Sequence, residues 1–206
     1  MIRRLLYLLV GTIAVSFGIA AILNSNLGAF SITLSNLAIS QWLHIDIAIA
    51  SFLTELLTLL YAMYHREGFG LTCLCSMTVG SFFTSLFIKI LPSNPWMSLF
   101  FFVMIAGFAL QGKAGFGGSS TNILMEALVK HKGMNLVFTR TIIDGFFLII
   151  AFIAFPSRIT IWTLLFTFGT SIAIKYIYKL FKYDPSIVQH SYIILFNKRK
   201  EKIHNV

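Results

Sequence analysis

Three ionisable side chains lie well inside long apolar runs: Glu55, Arg140 and Asp144. A carboxylate in hydrocarbon is costly, and by default it marks a substrate or proton path. Arg140 sits four residues before Asp144, so the two share a helix face and can pair. Arg140 can also bridge to Glu55. If all three ionise, the cluster carries a net charge of −1, which leans toward a cation or a proton. The competing reading is a structural ion-pair network with no traffic through it. A second set comprises Gly28 and Ser31, then Gly117 and Ser120, in two glycine-bearing breaks that each lead into a short helical stretch. Ser31 and Thr33, or Ser120, Thr121 and Asn122, are placed to cap those helices. A half-helix that starts inside a membrane presents unpaired N–H groups and a positive dipole end, which suits an anionic group. The competing reading is close helix packing through small residues.

The two sets belong to one pattern used twice. Residues 18–55 and 107–144 align without a gap at an offset of 89: Gly18 with Gly107, Gly28 with Gly117, Ser31 with Ser120, Glu55 with Asp144. At the same offset Thr78 meets Thr167, Gly80 meets Gly169 and Leu91 meets Leu180.

Composition says what must position these residues. Of 206 residues 57% are hydrophobic and only 11% charged, with mean hydropathy +0.84. A soluble domain carries about 25% charged residues, so the chain is expected to be an all-α membrane protein. Six uncharged or nearly uncharged runs predict spanning helices at 5–23, 45–64, 71–91, 96–110, 135–155 and 159–178. Leu23-Asn24-Ser25-Asn26 is not a small-residue cleavage site, so the first run is expected to remain as a helix. Pro92-Ser93-Asn94-Pro95 divides the chain, because proline cannot continue a helix. Between the first and second helix of each copy lies a mixed stretch, 24–44 and 111–133. If the second of these spanned, Lys113, Glu126, Lys130 and Lys132 would each cost about 2.5–3.5 kcal/mol at the bilayer centre. Each mixed stretch therefore reads as a broken or re-entrant half-helix. Three spans per copy is an odd number, so the second copy must be inverted relative to the first. The expected domain plan is a membrane domain over 1–183, with repeats 1–91 and 92–183, and a basic cytoplasmic tail over 184–206.

With the N-terminus in the cytoplasm, 13 of the 16 Lys and Arg fall on the cytoplasmic side. Lys89 and Arg158 fall opposite, and Arg140 lies within a helix. That is the positive-inside rule, and it puts both termini in the cytoplasm. Trp42, Trp96 and Trp162 all fall near the outer interface, as an aromatic belt would place them. The net charge of +9 is thus a membrane signature, not a nucleic-acid one.

Several chemistries find no support. Cys73 and Cys75, two apart on a helix, point to different faces and do not chelate a metal together; they read as packing residues. His44, His65 and His131 fall in turns or at interfaces, with no serine partner for an intramembrane protease. No P-loop is present. The chain is expected not to be an enzyme, and to need no cofactor and no metal. Its expected partners are the lipid bilayer and a small solute or ion, with a second copy or another membrane protein as further candidates.

The break NSNLGAFSITLSNL in copy one, its counterpart GKAGFGGSSTNILMEAL, and the helix that begins near MNLVFTRTIIDGFFLI resemble the YczE/YyaS/YitT group of bacterial integral membrane proteins. The resemblance spans roughly residues 1–183. It implies a bacterial inner-membrane protein with duplicated helices, and the short basic tail favours the YczE-like branch. That group has no settled activity and contributes no site residues. The function expected from the residues is transport of a small solute or ion by alternating access around Glu55, Asp144 and Arg140. The half-helix starts at Gly28, Ser31, Gly117 and Ser120 would line that site. The alternative is an accessory membrane protein, either a substrate-binding subunit or a scaffold for a partner complex.

Overall fold

A computed structural model describes residues 2–64, 69–133 and 136–180. Residues 65–68, with His65, and the basic tail expected at 184–206 lie outside the described residues. Among those described there is no β-strand. The elements are α1 (Ile2–Asn24), α2 (Ser31–Leu43), α3 (Ile47–Tyr64) and α4 (Leu71–Ile90). They continue as α5 (Pro95–Ala114), α6 (Ser120–Lys132), α7 (Leu136–Ala154) and α8 (Ile161–Leu180). Helices α1, α3, α4 and α5 are long and apolar enough to cross a membrane, which marks the chain as a membrane protein. Their outward faces carry large apolar side chains left bare by the bundle, such as Leu57, Ile90 and Phe102.

Both mixed stretches hold a helix of 13 residues. At 1.5 Å per residue each is about 20 Å long, short of the roughly 30 Å hydrocarbon core. The expected caps are absent. The cap positions fall on Phe30 and Ser119, and neither makes a side-chain cap bond. Ser31 and Ser120 come one residue later, as the first residues of their helices. α1 starts earlier than expected, because Arg4 reaches across to the Ala114 and Gly115 carbonyls at the end of α5 (2.8 and 3.2 Å). α5 runs on to Ala114, since Gln111 is buried and donates to Thr12 Oγ1 at 3.1 Å.

The offset of 89 recurs in the backbone. α2 starts at 31 and α6 at 120; α3 starts at 47 and α7 at 136. Every positive φ among the described residues falls into a matched pair: Asn26 (57°) with Gly115 (67°), Gly28 (139°) with Gly117 (88°), His44 (54°) with Gly133 (63°). At Gly28 a side chain is excluded twice over. Its φ disfavours one, and a Cβ there would lie 2.5 Å from Thr163 Oγ1.

Contacts repeat in the same way. α2 packs on α7 and α3 on α6, so each half lays its short helix against the other half. α1 crosses its counterpart α5 antiparallel at close range. A Cβ on Gly18 would lie 2.5 Å from Met104 Cβ, and one on Gly107 would lie 2.8 Å from Val15 Cγ2. Val15 and Met104 are themselves 89 apart, so the two contacts are the same contact made twice.

One end of the bundle is tied by Asn24 Nδ2, which donates to the Ile88 and Leu91 carbonyls (3.0 and 2.8 Å), and by Lys89 Nζ on Asp46 Oδ2 (2.6 Å). Ser85 also donates to Asp46 (2.6 Å). The hydrogen bond from Lys89, then those from Ser85 and the Ala48 N–H, bring the Asp46 carboxyl down to about 2. Trp42, Trp96 and Trp162 are exposed at helix ends.

Candidate functional site

The turn before α6 delivers Ser120 to the middle of α3. Ser120 is fully buried, and its Oγ donates to Glu55 Oε2 at 3.2 Å. Ser76 Oγ approaches the other carboxylate oxygen from α4 at 3.5 Å. Glu55 is therefore held from two sides by hydroxyls, and it has no ion-pair partner among the described residues.

Its carboxylate lines a cavity of about 80 Å³ between α1, α2, α3, α4 and α5. That is room for a few waters or one small ion with part of its shell. Most of the wall is apolar, with Val15, Ile19, Ile32 and Ile47 in it, and small polar groups are set among them. Thr12 and Ser16 come from α1, Asn36 from α2, Ser51 from α3, Ser81 and Thr84 from α4, and Gln111 from α5. Asn36 Oδ1 and Ser81 Oγ are buried with no hydrogen-bond partner. Buried polar atoms are nearly always paired, so two unpaired oxygens in the wall that Glu55 also lines are open to a ligand.

The path of α4 helps to open this wall. Its middle turn, Ser76–Gly80, is a π-helical segment, a feature that clusters at functional sites. The Gly80 carbonyl accepts from Ser16 Oγ at 3.0 Å, while Ser76 and Ser81 face the cavity.

The other predicted residues sit apart from Glu55. Arg140 Nε donates to Asp144 Oδ2 at 2.9 Å on α7, and Asp144 is only 3% exposed. No hydrogen bond or ion pair joins this pair to Glu55 among the described residues. Arg140 turns back along its own helix, where a partner four residues away is the nearest available. Ser31 is buried at the start of α2. Its N–H donates to Thr167 Oγ1 (3.2 Å) while its own hydroxyl has no partner. Gly28 and Gly117 shape the turns that lead into α2 and α6. Thus Glu55 and Ser120 come together, as do Arg140 and Asp144, in two separate places.

Sequence reasoning missed Asn36, Ser76, Ser81 and Gln111. One signal was present. Thr12 with Ser16, and Ser51 with Glu55, each lie four apart, which sets two small or polar groups on one helix face.

A family model covers residues 2–179 and is described as a family of unknown function, DUF6198. The chain belongs to that family. No curated protein and no solved structure gave a significant match. Among the described residues no three His, Cys, Asp or Glu side chains come together to hold a metal ion.

Proposed function

We propose that this chain is a transporter of a small solute or ion, working by alternating access around the cavity at Glu55. The observation that carries the reading is the carboxylate itself. Glu55 stands mid-helix in a spanning segment, faces a cavity with polar groups in its wall, and meets the buried start of a short helix. Carboxylates in spanning helices line ion and substrate pathways, and short or broken helices that start near the midplane build transporter sites.

The reading includes six spans, with α7 and α8 as the fifth and sixth, and α2 and α6 as half-helices that enter and leave on one side. It also includes two halves related by inversion. The antiparallel crossing of α1 with α5 supports this, because equivalent helices that run opposite ways need an axis in the membrane plane. The placement is the bacterial inner membrane with both termini cytoplasmic, supported by the lysine and arginine bias. The likeness of the glycine breaks to the YczE/YyaS/YitT group fits the same picture. The bilayer and the solute are the partners this reading requires.

The test is current measurement on proteoliposomes after rapid exchange of ions, amines, amino acids and organic acids. A saturable current in the natural chain, absent in folded Glu55→Gln, is the expected result. Silence toward every solute, from protein inserted and folded, would overturn the reading.

A further inference from the structure

The two halves offer an internal comparison. Glu55 and Asp144 are counterparts at the offset of 89, and so are Ser51 and Arg140. In the second half the carboxylate meets a positive charge from its own helix, one turn back, at 2.9 Å. In the first half the same position is Ser51, which lines the cavity. The partner that Asp144 finds in Arg140 is missing from Glu55 among the described residues. Glu55 has two hydroxyls at 3.2 and 3.5 Å instead.

The vacant acceptors point the same way. Asn36 Oδ1 and Ser81 Oγ lie in the wall of this cavity, on residues 7% and 4% exposed, and neither has a partner. Oxygen ligands with one carboxylate and no basic side chain suit a hard cation. One carboxylate neutralises one positive charge, whereas a divalent ion would keep a buried excess. A volume of about 80 Å³ limits the guest to a small ion.

Resting on the transport reading, we propose that the cavity beside Glu55 binds a small monovalent cation, an alkali ion or ammonium, through Glu55, Asn36 and Ser81. Arg140 is the covalent equivalent of that cation in the second half.

The test is the melting point of the purified full chain in detergent, titrated with sodium, potassium or ammonium chloride. N-methylglucamine chloride replaces each salt so that ionic strength stays constant. A ligand of the folded state raises the melting point by mass action. The expected result is a saturable rise with one or more of the three ions, and the ion that gives it names the source. Glu55→Gln abolishes the rise. Ser81→Ala weakens the apparent Kd about 10-fold, as loss of one ligand to a charged group does. Ser51→Lys supplies the charge internally, so its melting point no longer responds to salt identity. The proposal is overturned if no ion separates from N-methylglucamine, or if Ser81→Ala and Glu55→Gln respond as the natural chain does. Should Glu55→Gln fail to fold, Ser81→Ala decides, since it removes a hydroxyl that has no partner. Ion binding without any current would remove the transport reading and keep the site. Current without an ion response would remove the site alone.

Discussion

Replacing Gly18 by alanine probes the crossing that sets the whole bundle. The new Cβ would stand 2.5 Å from Met104 Cβ, 2.9 Å from Met104 N and 3.0 Å from Met104 Cα. Carbon atoms rest at about 3.5–4.0 Å, so α1 and α5 must separate by roughly 1 Å. Two of the three obstacles are backbone, so no rotamer change relieves the overlap. Overpacking of this kind costs about 1–3 kcal/mol. For a chain of this length that lowers the melting point by roughly 2–12 °C. Gly107→Ala makes the equivalent contact against Val15 and Gly11 O, all at 2.8 Å, and is expected to fall in the same range. The control is Gly145→Ala, where a Cβ meets nothing within 4 Å; there alanine gains about 0.5–1 kcal/mol from helix propensity. The assay is thermal unfolding in detergent, followed by circular dichroism. If Gly18→Ala melts with or above Gly145→Ala, the crossing is not tight and the packing argument fails.

Asp144→Asn is expected to destabilise by about 3 kcal/mol, because it strands a partly buried guanidinium. Arg140→Leu combined with Asp144→Leu recovers most of that loss, and denaturant unfolding of the single and double variants checks it. The Asp46 contribution has a definite sign. Its folded carboxyl titrates near 2 rather than 3.8, so the stability it lends is complete above about pH 4 and vanishes as the pH falls through 2. The melting-point gap between the natural chain and Lys89→Met should therefore close below pH 2; a gap of constant size across that window would contradict the assignment. For topology, Ser31 and Ser120 are buried, so the useful labelling sites are the exposed far ends of the short helices. His44→Cys and Gly133→Cys, with Cys73 and Cys75 replaced by alanine, should react with an impermeant maleimide from opposite faces of the membrane. Labelling of both from one face would sink the inverted arrangement.

The long helices were legible because each is an uncharged or nearly uncharged run bounded by charge or proline, and lipid leaves the backbone few other forms. The spacing of 89 at which helix starts and positive φ values recur was legible from small residues, since Gly28 with Gly117 and Ser31 with Ser120 keep it while bulk side chains drift. Other features were not legible, for physical reasons. A π turn has the same composition as an α turn, so nothing in Ser76-Met77-Thr78-Val79-Gly80 distinguishes it. The cavity depends on how far apart helices stand, and that distance is set by Gly18 against Met104. Asn36 and Ser81 carry no mark in the sequence that sets them apart from other polar residues of their helices; the fold brings them to the cavity that Glu55 lines. Arg140 offered two partners by sequence, and geometry selected the one on its own helix.

The π segment of α4 has a consequence for how this chain tolerates insertion and deletion. Each residue added to or removed from a helix turns everything beyond it by about 100°. Ser76–Gly80 takes up part of such a turn as a local widening. Deleting one residue there would let the segment relax to an ordinary α turn and leave 81–90 close to their present phase. Deleting one residue just beyond it, at 82–84, would instead turn the rest of α4 by about 100°, and Ser85 and Lys89 would leave Asp46. The π turn is thus a place where α4 can lose a residue and keep the clasp at its end, while the same loss one turn later opens that clasp.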